Sequence, residues 1–186
     1  MKAHLLSVSC LAILSAAPVL AVTTKSADTT ITPREVEAAQ QAWCDALVAI
    51  GKAEDPKAVA QQVLTDAYDY DDGTVFFKPT LAHGEQTFRT TKEGALAYFV
   101  GGNAEFPDDK GFALKPWVKA RFDNLGDGTE GIQIHGNIAI TMGHVWVTDK
   151  EGKETMVEKT FVFRKDDDGK LRLILHKSAL PYSPAK

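Results

Sequence analysis

Near the C terminus, His176, Lys177 and Ser178 follow the strand-like run "LRLIL" of residues 171–175 and precede Pro181. A free imidazole titrates near neutrality, so His176 is a candidate acid or base, or a donor to a carboxylate ligand, with Lys177 or Ser178 assisting. The plainer alternative is a strand-end histidine bonded to backbone. Strand alternation puts His176 and Lys177 on opposite faces, so only one looks inward unless a bulge intervenes. His144 alternates with Met142 and Trp146, while Gly143 and Val145 point the other way. It therefore lines a pocket with Trp146 or lies on the outer face. His83, beside Gly84, and His135, before Gly136-Asn137, read as solvent-facing loop residues. In "VEKTFVF", Lys159 shares a face with Phe161 and Phe163. Turned inward, its ammonium would anchor an anion; turned outward, it would snorkel to the sheet edge.

Other chemistries lack their residues. No two histidines have zincin spacing, and Asp166 to Asp168 lack the alternating oxygens and distal Glu of a calcium loop, so no metal is expected. There is no nucleophile elbow, phosphate-cradling glycine loop or dinucleotide fingerprint, so no cofactor is expected either. Lys and Arg number 21 against 25 Asp and Glu, a net charge of −4, with no basic run. That balance argues against nucleic acid or an anionic membrane as partner.

The elements that must position these groups follow from the pattern. Residues 1–21, "MKAHLLSVSCLAILSAAPVLA", have the basic start, apolar run and small-residue ending of a secretory signal peptide, with cleavage expected after Ala21 and a periplasmic or secreted product. Cys44 is then the sole cysteine, so packing rather than a disulfide holds the fold. Residues 22–31 read as a flexible leader and residues 32–186 as a single domain. Thr32-Pro33-Arg34-Glu35 opens a helix carrying Val36, Gln40, Trp43, Leu47 and Ile50 on one face, with Gly51 expected to end it. Asp55-Pro56 starts a second helix to about Ala67. "TVFFKP" reads as a short strand and "EQTFRT" as another or as an extended link. Thr90-Thr91-Lys92-Glu93 resembles a capping box, with its Glu three residues past the cap, and opens a third helix that closes at Gly101-Gly102. From Trp117 onward the pattern is strand, broken by the turns "DKEGK" and "DDDGK". Helices followed by an antiparallel meander make an α+β fold.

Phe77-Lys78-Pro79 after the second helix, the short third helix, three long strands, Gly169-Lys170 in the last hairpin and His176-x-Ser178 before Pro181 occur in an order that resembles the nuclear transport factor 2-like superfamily. Within it the chain is similar to SnoaL-like proteins and to the association domain of calcium/calmodulin-dependent protein kinase II, in a small exported bacterial form. The resemblance implies a cone of cystatin-like type: a bent antiparallel sheet wrapped around three helices, a pocket at the wide end, and a homodimer. The association domain lines its pocket with arginines; Phe161 and Lys177 stand at the matching positions here, which thins that cluster.

Such folds host both enzymes and binding modules. The first expectation is an exported protein binding a small anionic or aromatic molecule through Lys159 and His176, between walls of Phe161, Phe77, Tyr98 and Trp43. The alternatives are a cofactor-free lyase or isomerase, with His176 or His144 shuttling a proton, and a structural oligomerisation domain. No inward carboxylate partners either histidine, since Glu158 alternates away from Lys159. Whether the protein is an enzyme stays open on these residues.

Overall fold

In the computed structural model, residues 29–126 and 130–184 are described; the signal-peptide segment and most of the leader lie outside them. Helix α1 spans Pro33–Lys52. Its Thr32 cap accepts from the Glu35 N–H while the Glu35 carboxylate takes the Thr32 N–H, a reciprocal arrangement worth about 1 kcal/mol. Gly51 does not end this helix but lies inside it, because a Cβ there would sit 2.5 Å from the Ala113 carbonyl oxygen. Close approach, not termination, requires that glycine.

Asp55 caps α2, Pro56–Ala67. Strand β1, Phe76–Lys78, follows, and "EQTFRT" is a 3-10 turn with irregular extended chain rather than a strand. Thr91 caps α3, Lys92–Val100, which Gly101 ends at φ +65°. Strands β2 (Lys119–Asn124), β3 (Ile132–His135), β4 (Ile138–Thr148), β5 (Glu154–Lys165) and β6 (Leu171–Ala179) complete the sheet.

The sheet order is β1-β6-β5-β4-β2, with β3 pairing the start of β4 beyond β2. All pairings are antiparallel except β1 with β6, so a parallel edge makes the sheet mixed. The concave face carries Ala139, Thr141, Val145 and Val147 from β4 and Val157, Lys159, Phe161 and Phe163 from β5, all buried. Against it pack Val36, Trp43, Cys44, Leu47 and Ile50 of α1. Burying each large apolar side chain stabilises the fold by roughly 1.5–3 kcal/mol, so this layer supplies the main cohesion. Ile31, placed in the leader by sequence, is also buried, and the carbonyl of Thr30 takes a hydrogen bond from Lys165.

Candidate functional site

One irregularity decides which C-terminal side chains enter the core. Between β5 and β6 the register runs Phe161↔His176, Val162↔Leu175, then Phe163↔Leu173, leaving Ile174 as an extra residue on β6. Leu173 faces inward, and uninterrupted alternation would send Leu175 in and His176 out. The bulge reverses that parity. His176 and Ser178 are consequently buried while Lys177 is exposed.

The six residues expected to wall a pocket, Trp43, Phe77, Tyr98, Lys159, Phe161 and His176, do converge, but they pack against one another, none more than 5 % exposed. The Phe77 ring stacks on His176 at 4.4 Å between centroids, and Phe161 and Trp43 meet the imidazole edge-on at 4.8 and 5.3 Å. Open space lies beyond Tyr98, in a pocket of about 270 Å³ lined also by Leu81, Ala82, Arg89, Lys110 and Phe112.

Through the aromatic shell runs a chain of polar groups. The Trp43 indole N–H donates to Tyr68 Oη at 2.8 Å, and Tyr68 Oη meets His176 Nδ1 at 2.9 Å. His176 Nε2 meets Lys159 Nζ at 3.0 Å, and Lys159 Nζ donates to Ser178 Oγ at 3.1 Å. Ser178 Oγ and Thr80 Oγ1 share a hydrogen at 2.6 Å. Thr80 sits beside Tyr98, whose Oη takes the Leu81 N–H at 3.4 Å. Lys78 Nζ closes the back, donating to the carbonyls of Ser178 (3.2 Å) and Thr80 (3.4 Å).

Burial without a counter-charge shapes the ionisation of this chain. Desolvation drives Lys159 from 10.5 down to about 7. The same cause, with the nearby Lys159 charge second, holds His176 well below its usual value, so the imidazole is neutral. Burial pushes the Tyr98 phenol up to about 12, and it also pushes the Cys44 thiol up to about 12, so both stay protonated. The site is thus built of neutral donors and acceptors around one amine poised near neutrality.

His144 does not join it. The residue lies on the outer face, between Asp123 of β2 and Glu158 of β5, because the buried set of β4 is the opposite one. His83 and His135 are exposed. Two members went unread in the sequence. Tyr68 follows α2 with no pattern of its own, and Thr80 is brought to Ser178 only by the parallel β1–β6 pairing. The adjacency of Thr80 to "FFKP" was the available signal. For a metal, Asp69, Asp72 and Asp166 are the cluster of suitable spacing among the described residues. The Arg164 guanidinium already stands among them, 2.7, 3.6 and 2.8 Å from their oxygens, and supplies the positive charge.

The family model for metal-independent carbonic anhydrase matches residues 34–180. The chain belongs to that family. The metal-independent carbonic anhydrase of Nostoc sp. is 55 % identical over 158 residues, covering 82 % of this chain and 75 % of the relative. The crystal structure of the iota-carbonic anhydrase from a cyanobacterium, complexed with bicarbonate, superposes with a TM-score of 0.80 at 52 % identity, over 88 % of this chain and all of that one. A Streptomyces avermitilis protein of the nuclear transport factor 2-like family shares the fold alone, at a TM-score of 0.50 and 13 % identity over 81 % of this chain and 96 % of its own. The cone-fold resemblance holds. The family is more specific than the association-domain likeness drawn from sequence.

Proposed function

We propose that the protein is a carbonic anhydrase that interconverts carbon dioxide and bicarbonate at the Thr80–Ser178–Tyr98 end of the buried chain. The observation that carries this reading is the membership of the metal-independent family, whose matched span contains every residue of the site. The chemistry of the site supports it. Carbon dioxide is small and apolar, and suits the partly apolar pocket that Tyr98, Leu81, Ala82 and Phe112 line. Bicarbonate carries its charge on oxygens, which need donors already aimed at them. Tyr98 Oη, Thr80 Oγ1 and Ser178 Oγ offer such donors, and the basic groups Lys159 and Lys78 stand behind them. His176 is a spacer of fixed orientation in this scheme, held by the Phe77 stack, and Trp43 spends its N–H on Tyr68. The pocket beyond Tyr98, with Arg89 and Lys110 in its wall, supports entry and exit on that side.

Stopped-flow hydration of carbon dioxide tests the proposal. Thr80→Val removes one hydroxyl at nearly constant volume and should lower kcat/KM roughly 10²–10³-fold, the usual effect of losing one donor to a developing oxyanion. A wild-type protein no faster than the buffer, or a fully active Thr80→Val, would refute it. The N-terminal apolar segment supports action outside the cytoplasm. Exposed Ile140, Met142 and Phe76 on the convex face support pairing of two copies there, which sedimentation would test.

A further inference from the structure

Hydration of carbon dioxide releases a proton, and the neutral hydroxyls of Thr80 and Ser178 are poor places to keep it. The polar chain behind them has a direction. An indole N–H only donates, so Tyr68 Oη is an acceptor from Trp43, and the phenol's own hydrogen is free for its other neighbour, His176 Nδ1. A neutral imidazole accepting at Nδ1 carries its hydrogen on Nε2, which faces Lys159 Nζ at 3.0 Å. Two donors cannot share that hydrogen bond, so Nζ must present a lone pair. The chain is fully satisfied only when Lys159 is an uncharged amine.

The groups facing Lys159 are Trp43 and Cys44 from α1, Phe161 along its own strand, His176 and Ser178 from β6, and Gly143 across on β4. Of these, Cys44 and His176 titrate, both are neutral, and no carboxylate is among them. The Trp43 ring at 4.6 Å and the Phe161 ring at 5.7 Å favour an ammonium, an effect smaller than the loss of hydration it opposes.

We propose that Lys159 receives the proton released from water, acting through Ser178 Oγ as a positioning residue for that proton; the inference rests on the carbonic anhydrase reading. The water oxygen bonds to the carbon of carbon dioxide, and one C=O electron pair moves onto its oxygen. The breaking O–H bond passes its proton to Ser178 Oγ as the serine hydrogen moves to the Lys159 lone pair, which turns from His176 toward Ser178. Bicarbonate and an ammonium result. The ammonium now faces Nε2–H, and this donor-on-donor contact drives its proton out to solvent, restoring the amine. Tyr68 and Trp43 therefore tune the base from a distance.

Two readouts test this. In protein carrying ¹⁵N at the lysine Nζ atoms, the Lys159 resonance should titrate near pH 7, and Tyr68→Phe should raise that midpoint by freeing the imidazole to take the other tautomer. In hydration assays, kcat/KM should fall on the acid side of the same midpoint. Lys159→Met should lose that limb along with roughly 10²–10⁴-fold of rate, the usual worth of a positioned base. A Lys159 signal that is still an ammonium at pH 9, or a Lys159→Met profile unchanged in shape, overturns the proposal. Should Lys159→Met not fold, the Tyr68→Phe shift decides: a midpoint that does not move overturns the tuning chain. If wild-type protein shows no hydration at all while Lys159 titrates near 7, the carbonic anhydrase reading fails and the neutral amine stands.

Discussion

Replacing Lys159 with Met should stabilise the protein at neutral pH and remove a specific part of its pH dependence. The lysine falls from 10.5 to about 7 on folding. At about 1.4 kcal/mol per pKa unit, keeping it in the core costs about 5 kcal/mol below pH 7, where both folded and unfolded chains hold the proton. Between pH 7 and 10.5 the unfolded state binds the extra proton, so stability rises with pH at about 1.4 kcal/mol per unit and falls back as pH drops toward 7. Methionine has no such proton and fills a similar volume. Urea unfolding from pH 7 to 9.5 stays below the range where the buried tyrosines ionise. Subtracting the two proteins should leave a line of that slope, the variant being more stable by several kcal/mol at pH 7. Equal pH dependence in the two proteins would refute the claim that burial without a counter-charge governs Lys159. Such a gain in stability at the expense of rate is the pattern expected where function requires an unfavourable group.

Deleting Ile174 removes the extra residue of the β6 bulge and leaves Leu173, Leu175 and His176 paired in order with Phe163, Val162 and Phe161, so His176 and Ser178 should stay inward and hydration should survive, while inserting a second residue there, with the one-residue bulge kept, should turn them outward and abolish it; the paired rates and melting curves check this. Gly51→Ala should lower stability by about 1–3 kcal/mol in urea melts, because the new Cβ meets the Ala113 carbonyl at 2.5 Å and this outweighs the helix-propensity gain of up to about 1 kcal/mol.

Much of the architecture was legible because local chemistry and global fold agree. Thr32 and Asp55 mark two helix starts by their capping side chains, the Thr90-Thr91 pair marks the third to within a residue, Thr91 being the cap, and alternation in β4 and β5 separates the faces once one is known to be buried. The same alternation put Lys159 beside Phe161 and withheld Glu158. It could not say which face was concave, so His144 stood level with His176 until the helices were seen to cover Val145 and Val147. The inward turn of His176 depends on a one-residue bulge, which leaves no mark in a run of leucines and isoleucine. Thr80 and Tyr68 became site residues only through contacts 98 and 108 positions away in the chain. Gly51 read as a helix stop because a glycine needed for close approach looks the same in sequence as one needed for a positive φ.

The most direct test follows the loss of ¹⁸O from doubly labelled carbon dioxide, by membrane-inlet mass spectrometry, with chelator-dialysed wild-type protein and Ser178→Ala side by side. Each hydration and dehydration cycle exchanges label with water, so the account predicts rapid depletion by the wild type and a near-background rate for the variant. Depletion by the wild type at the uncatalysed rate, or equal depletion by both proteins, would contradict it.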